Sequence, residues 1–314
     1  MNYIIISIIL LVSILIYFKI AEHFNIVDRP NERSSHHEIT IRGGGIIYLV
    51  AALLAAVYHP SFWLPVVAMF IIGIISFIDD RFTLSRKIRI TFHLTAVTIL
   101  FYFLGIFAQF PIWVIPMVYI LVIGVINAYN FMDGINGITG LYSLTVLASL
   151  QYINYYLNAF TAPDLIWIPI IATLIFLFFN FRKRAKCFAG DVGSVTIAFW
   201  ILMLLIQLMM STGTLAYILF LAVYGVDAVL TIMHRLYLKQ NILNAHRLHF
   251  YQILANEKGW SHLKIASIYA VLQVLINLVV INFPDQLNLL FLLTLLPLVL
   301  AYIIFKPGMM KSTR

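Results

Sequence analysis

Residues 112–157 read IWVIPMVYILVIGVINAYNFMDGINGITGLYSLTVLASLQYINYYL. The fold follows from how the two apolar ends of this stretch meet its polar middle. The flanks, 112–126 and 138–157, approach the roughly 20 helical residues that a bilayer's hydrocarbon core requires. Between them NAYNFMDGINGITG carries three asparagines, one aspartate and three glycines. A backbone in lipid must satisfy its own polar groups, so the unit reads as two membrane helices joined by a polar break at one face.

Apolar stretches of this kind recur along the chain at 2–20, 44–58, 62–78, 90–107, 165–180, 193–210, 214–233, 265–283 and 287–305. Composition agrees: 63% of the residues are hydrophobic and 10% charged, against about 25% charged in a soluble domain. The expected fold class is therefore all-α: a polytopic transmembrane helical protein with about eleven spans, forming a single integral membrane domain over 1–314. The longest polar segments, 21–42 and 234–264, are too poor in apolar residues to build a separate core. Pro60, Pro111 and Pro163 fall between spans, where helix-ending signals belong. The first span has no basic leader or small-residue cleavage site and is expected to be a retained helix. The one cysteine, Cys187, excludes an internal disulfide framework.

The 20 Lys and Arg residues sort to alternate connections. One side collects Lys19, Arg29, Arg33 and Arg42, then Arg81, Arg86, Lys87 and Arg89, then Arg182, Lys183, Arg184 and Lys186. Arg235, Lys239, Arg247, Lys258, Lys264, Lys306, Lys311 and Arg314 complete it. The other side has none, only uncharged residues with His59, Asp164 and Asp285. Positive residues mark the cytoplasmic side, so the N-terminus is expected outside and the C-terminus inside. The net charge of +8 then concentrates on one face, where it attracts lipid headgroups or a polyanionic substrate. No recognition motif accompanies this charge, so nucleic acid is not an expected partner.

Carboxylates within spans are costly and rare, which makes their placement informative. SFIDDRFTLSRK puts Asp79 and Asp80 at the cytoplasmic end of a span. Adjacent helix positions point differently, so one can approach a metal or a reacting proton while the other orients cations; a solvated helix end beside Arg81 has the same appearance. In the opening stretch Asn127, Asn130 and Asp133 share one helix face, and Gly134, Gly137 and Gly140 allow the backbone to approach a ligand. CFAGDVGS holds Asp191 between glycines at a helix start, which suits a Mg²⁺ ligand, and Phe188 beside it can stack on a nucleobase or serve as an interfacial aromatic. In AHRLHFYQ, His246 and His249 are spaced for one helix face and, with Arg247, suit diphosphate oxygens better than a dedicated metal site. Arg42 precedes Gly43, Gly44 and Gly45; exposed amides there can receive an anion, and equally the glycines can serve close helix packing. Asp227 alone lies deeper in a span, and is expected to support the cytoplasmic site through Arg235.

In this order, DRPNERSSH, RGGG, the Asp-Asp span end, NAYNFMDGING, CFAGDVGS and HRLHFYQ resemble the polyprenyl-phosphate N-acetylhexosamine-1-phosphate transferase family, within glycosyltransferase family 4. That family includes the phospho-MurNAc-pentapeptide translocase of peptidoglycan synthesis. The motifs look closest to the bacterial branch that starts O-antigen, capsule or other surface polysaccharides. The resemblance implies transfer of a sugar phosphate from a UDP-amino sugar to undecaprenyl phosphate, with UMP released, at the cytosolic face of a bacterial inner membrane. It implies Mg²⁺, with Mn²⁺ as an alternative ion, held by Asp191 and Asp133. Asp79 or Asp80 would deprotonate or position the lipid phosphate, Asn127 and Asn130 would shape the nucleotide site with Asn136 among the substrate contacts, and Phe188 would stack on uracil. His246 and His249 would hold the diphosphate or sugar, with Arg42 and Arg247 also on substrate. A homodimer is one arrangement open to such a chain. Asn136 in place of a frequent acid, Ile41 in place of a frequent proline, and HRLH without a third histidine argue against the muropeptide substrate. A secondary transporter is the alternative of a different class, but its polar site belongs near the midplane, and the acids here gather at one face.

Overall fold

The computed structural model describes residues 2–28, 39–242 and 246–309. Arg29, Arg33, Lys311 and Arg314, counted above among the cytoplasmic cations, lie outside the described residues, as does most of DRPNERSSH. The element at the centre of the bundle is a helix apolar on every side. Gly190–Thr212 (α9) buries nearly all of its side chains, including Phe199, Trp200 and Met203. A helix hydrophobic all round is stable only when surrounded, and α9 is packed by Ile47–Tyr58 (α2), Trp63–Phe82 (α3), Ile115–Met132 (α6) and Ile138–Tyr156 (α7).

Outside this layer stand Tyr3–His23 (α1) and Arg86–Leu104 (α4), the short turn Ile106–Gln109 (α5), and Asp164–Asn180 (α8). After α9 follow Ala222–Tyr237 (α10), Phe250–Asn256 (α11), His262–Asn282 (α12), Leu287–Leu290 (α13) and Leu296–Met309 (α14). Helices thus occupy every apolar stretch read from the sequence. Among the described residues eight helical stretches are long and apolar enough to cross a membrane, while Gly44–Tyr58 and Asp164–Asn180 are shorter.

The differences from expectation are local. Val27–Asp28 (β1) and Thr40–Ile41 (β2) form a two-residue antiparallel pair, and Ile41 also bridges to Cys187. α3 runs on to Phe82 and α6 to Met132, so the polar residues expected beyond those spans lie in or at their last turns. The stretch expected as one helix from 214 opens with a 3₁₀ turn over Ala216–Leu221. Between α13 and α14 the helix widens into a π turn at Phe291–Leu295. Pro297 follows it, and a residue with no N–H and a ring that crowds the carbonyl four positions back displaces the ladder locally.

One contact brings the site's two halves together. The main chains at Gly45 and Gly193 approach so closely that a Cβ on Gly193 would stand 2.7 Å from the Cα of Gly45. Gly45 N donates to Ala189 O at 3.0 Å, and Gly44 N to Phe188 O at 2.8 Å. The glycines of RGGG therefore serve close packing. Gly193→Val is expected to destabilise by overpacking, a penalty of about 1–3 kcal/mol or more. A fall of several degrees in the detergent melting temperature checks this, with no fall expected for Gly124→Ala, at a helical site with open space.

Candidate active site

Asp79 and Asp80 lie in the last turn of α3 and diverge. Asp80 Oδ1 pairs with Arg42 Nη2 at 2.5 Å, and Oδ2 accepts the backbone N–H of Asp191 at 2.8 Å. That N–H belongs to the first turn of α9, where donors lack helical partners and a negative charge is favoured. Gly190 makes the approach possible: its φ is +69° and a Cβ there would stand 2.7 Å from Asp80 Oδ2. Asp79 turns towards α4, accepting from Leu84 N at 2.6 Å and pairing with Arg89 Nη1 at 2.8 Å. Of the two, Asp80 faces the other candidate groups.

Asp191 and Asp133 complete the carboxylate set. Asp133 caps the C-terminal end of α6. Burial pushes its carboxyl up to about 7, the charge of Asp191 adds to this, and the nearby Thr139 hydroxyl and Arg42 act against it. Burial likewise opposes the charge on Arg42, but Asp80, Asp191 and Asp28 outweigh it and push the guanidinium's pKa up. Asn130 joins the set through Ser194, whose hydroxyl donates to its Oδ1 at 3.0 Å. Asn127 donates to Ile123 O within its own helix at 2.8 Å. Beside Arg42 and Asp80 opens a cavity of about 230 Å³ with Arg81 on its rim and Ile26, Val27 and Phe77 as apolar wall.

Two buried amides hold the loops around this centre. Asn180 accepts from Gly137 N at 2.7 Å and donates to Cys187 O at 2.8 Å. Asn136 donates to Arg182 O at 2.9 Å, so one of its groups ties the DGING loop to the segment before α9, while its buried carboxamide oxygen has no partner among the described residues. Phe188 is half-buried, and its backbone is fixed by Ile41 O, 2.8 Å from its N–H. Asn180 and Ser194 escaped the sequence reading. Asn180 gave only the signal of a lone amide ending an apolar span.

The histidine segment forms a second group. It is not a helix, as the spacing suggested: His249 is the extended N-cap of α11, with ψ 145°. The two imidazoles nevertheless lie 4.9 Å apart, because the chain bends at the cap. Burial, with His249 close by, pushes His246 down to about 4, so it is neutral near pH 7. Arg247 lies half-buried on the same segment. The segment packs against the end of α6, where Phe131 neighbours His249 and Tyr251 Oη donates to Phe131 O at 2.9 Å. Asp227 acts through this segment. Its Oδ1 accepts from Phe250 N at 2.8 Å and lies 3.5 Å from His249 Nδ1, and its Oδ2 accepts from Tyr269 Oη at 2.7 Å. The expected route through Arg235 differs: that guanidinium donates to the carbonyls of Asn241 and Ile242.

Among the described residues no three His, Cys, Asp or Glu side chains gather closely enough to cage a metal ion. Mg²⁺ does not need a cage, since it binds through one or two carboxylates with water and substrate phosphates. Asp133 and Asp191, close enough for the charge of Asp191 to push the Asp133 carboxyl up, fit that donor set.

A bundle of membrane-length helices with carboxylates, guanidinium and imidazoles gathered at one end defines an integral membrane protein with an enzyme-like polar site. Residues 62–209 match the model of glycosyl transferase family 4, a stretch holding Asp80, Asn130, Asp133 and Asp191. The probable undecaprenyl-phosphate N-acetylglucosaminyl 1-phosphate transferase of Bacillus subtilis (strain 168) is 26% identical over 257 residues, covering 75% of this chain and 71% of the relative. Over that stretch, just under half of its length, the chain is similar to glycosyl transferase family 4.

Two outcomes follow from this geometry. Asp80→Asn is expected to lower turnover about 100-fold or more, on the scale of losing one preorganised electrostatic contact, whereas Asp79→Asn lowers thermal stability more than turnover; parallel assays and melting curves of both variants check the distinction. Burial pushes the Cys187 thiol up to about 12, so at pH 8 only about one thiol in 10,000 is ionised. A maleimide is therefore expected to label Cys187 slowly in the native protein and fully after denaturation.

Proposed function

We propose that this protein transfers N-acetylhexosamine 1-phosphate from a UDP-sugar to undecaprenyl phosphate, releasing UMP and starting a lipid-linked surface polysaccharide. The observation that carries the proposal is the convergence of Arg42, Asp80, Asp133 and Asp191 at the meeting of α2, α3, α6 and α9. The relative's name supports the acceptor and the sugar phosphate. The sorting of cations supports a cytosolic site, with the N-terminus outside and the bacterial inner membrane as location.

In this reading an oxygen of the lipid phosphate attacks the β-phosphorus of the UDP-sugar, and the bond to the bridging oxygen on the UMP side breaks. Asp133 and Asp191 would hold Mg²⁺, which would supply positive charge against the diphosphate. Asp80, kept in place by Arg42 and the α9 N-terminus, orients the attacking phosphate or takes its proton. Arg42 and the amides at the start of α9 offer positive charge where phosphate oxygens lie. Neutral His246 donates a hydrogen bond to the diphosphate or sugar without carrying a cation into the site. Preorganised electrostatics of this kind supply most of the rate in phosphoryl transfer.

Purified protein incubated with undecaprenyl phosphate, Mg²⁺ and a panel of UDP-amino sugars is expected to release UMP and form lipid-linked product with at least one donor. EDTA is expected to stop the reaction, and Asp191→Asn to slow it about 1,000-fold. No turnover with any donor, or full activity of Asp191→Asn, defeats the proposal.

A further inference from the structure

Lys306 sits in the last helix, α14, as one more cation near a helix end. A lysine there ordinarily extends its stem and carries its ammonium to the interface. Lys306 does the opposite and is 2% exposed. Burying an ammonium is costly unless it is hydrogen-bonded and answered by an opposite charge, and the structure supplies both.

The Lys306 Nζ donates to Tyr302 Oη, one helical turn earlier, and lies 3.4 Å from Thr231 Oγ1. Tyr302 and Thr231 share a hydrogen bond of 2.8 Å, and the Thr231 hydroxyl stands 3.2 Å from Asp227 Oδ1. One consistent orientation of the protons runs from cation to anion: ammonium to Tyr302 oxygen, Tyr302 hydroxyl to Thr231 oxygen, Thr231 hydroxyl to Asp227. Asp227 in turn holds Phe250 N at the start of α11 and flanks His249. The last helix is thereby tied through hydroxyls to the segment that carries the candidate histidines.

We infer that Lys306 is a positioning residue for this site: through Tyr302 and Thr231 it fixes Asp227, and with it the orientation of His249 and the backbone of the histidine segment. The inference rests on the reading of His249 as a group that acts on substrate. Networks of this kind are worth more than their separate bonds, and coupling between variants measures the excess. An apolar replacement of similar length leaves the Asp227 carboxylate without its balancing charge while retaining the packing of α14.

The test uses the full chain in lipid nanodiscs with UDP-N-acetylglucosamine, or the best donor from the panel, and undecaprenyl phosphate. Lys306→Met is expected to lower kcat about tenfold or more while KM for the donor stays within about twofold. Tyr302→Phe, which breaks the relay without removing a charge, is expected to show the same split. Lys264→Met, an exposed cation stacked on Trp260, is the unchanged control. Combining Lys306→Met with His249→Ala is expected to cost less than twofold beyond His249→Ala alone, since both act at one point. Independently of turnover, the amides of Phe250 and Tyr251 are expected to exchange with deuterium at least tenfold faster in both relay variants.

Wild-type kcat in Lys306→Met and Tyr302→Phe, in a series where His249→Ala is crippled, overturns the inference and leaves the proposed function standing. A further tenfold loss in the double variant overturns it in favour of a general scaffold role. Full turnover of His249→Ala sinks the reading of the histidine segment itself. Accelerated exchange in the two variants with unchanged kcat also overturns the inference, because the tether then exists without serving the reaction.

Discussion

The arrangement depends on main chain meeting main chain. Arg42 to Gly45 and Cys187 to Gly193 lie against each other with no side chain between them at Gly45 and Gly193. From that contact follow the bridge at Ile41, the reach of Asp80 to the first amide of Asp191, and the position of Arg42 over the same carboxylate. Glycine is required because the backbone curvature at Gly190 and the space at Gly193 admit nothing larger. The candidate chemistry therefore sits where two chain segments distant in sequence are pressed together by the absence of side chains.

Electrostatics then separates roles that composition cannot. Asp79 and Asp80 are chemically identical neighbours, yet Asp79 stabilises the turn into α4 and Asp80 faces Arg42 and Asp191. Asp133 is made hard to ionise by burial and by Asp191. His246 is made hard to protonate by the same desolvation. Burial thus moves an acid and a base of the site in opposite directions, both towards neutrality.

Much of this was legible in the sequence because the signals are one-dimensional. Apolar length gives helices, and the scarcity of charge within them makes Asp80, Asp133 and Asp191 conspicuous. Rotation about a helix axis is not encoded locally, so the choice between Asp79 and Asp80 waited on what α4 and α9 present. The segment from His246 to His249 has helical spacing but is held at a cap by Asp227, a partner on another helix. Lys306 read as a topology signal because its answering groups, Thr231 and Asp227, come from α10. Asn180 and Asn136 work through carbonyls, which leave no trace in residue type.

The enclosure of α9 has a mechanical meaning. A helix surrounded by α2, α3, α6 and α7 cannot slide or tilt without emptying the core around Trp200 and Phe199. It acts as the fixed pillar of the molecule, and Asp191 at its head is a datum from which the other groups are measured. α14, by contrast, turns most of its side chains outward after its π turn and reaches the core through Tyr302 and Lys306. Enclosure and exposure are thereby divided between helices of one chain.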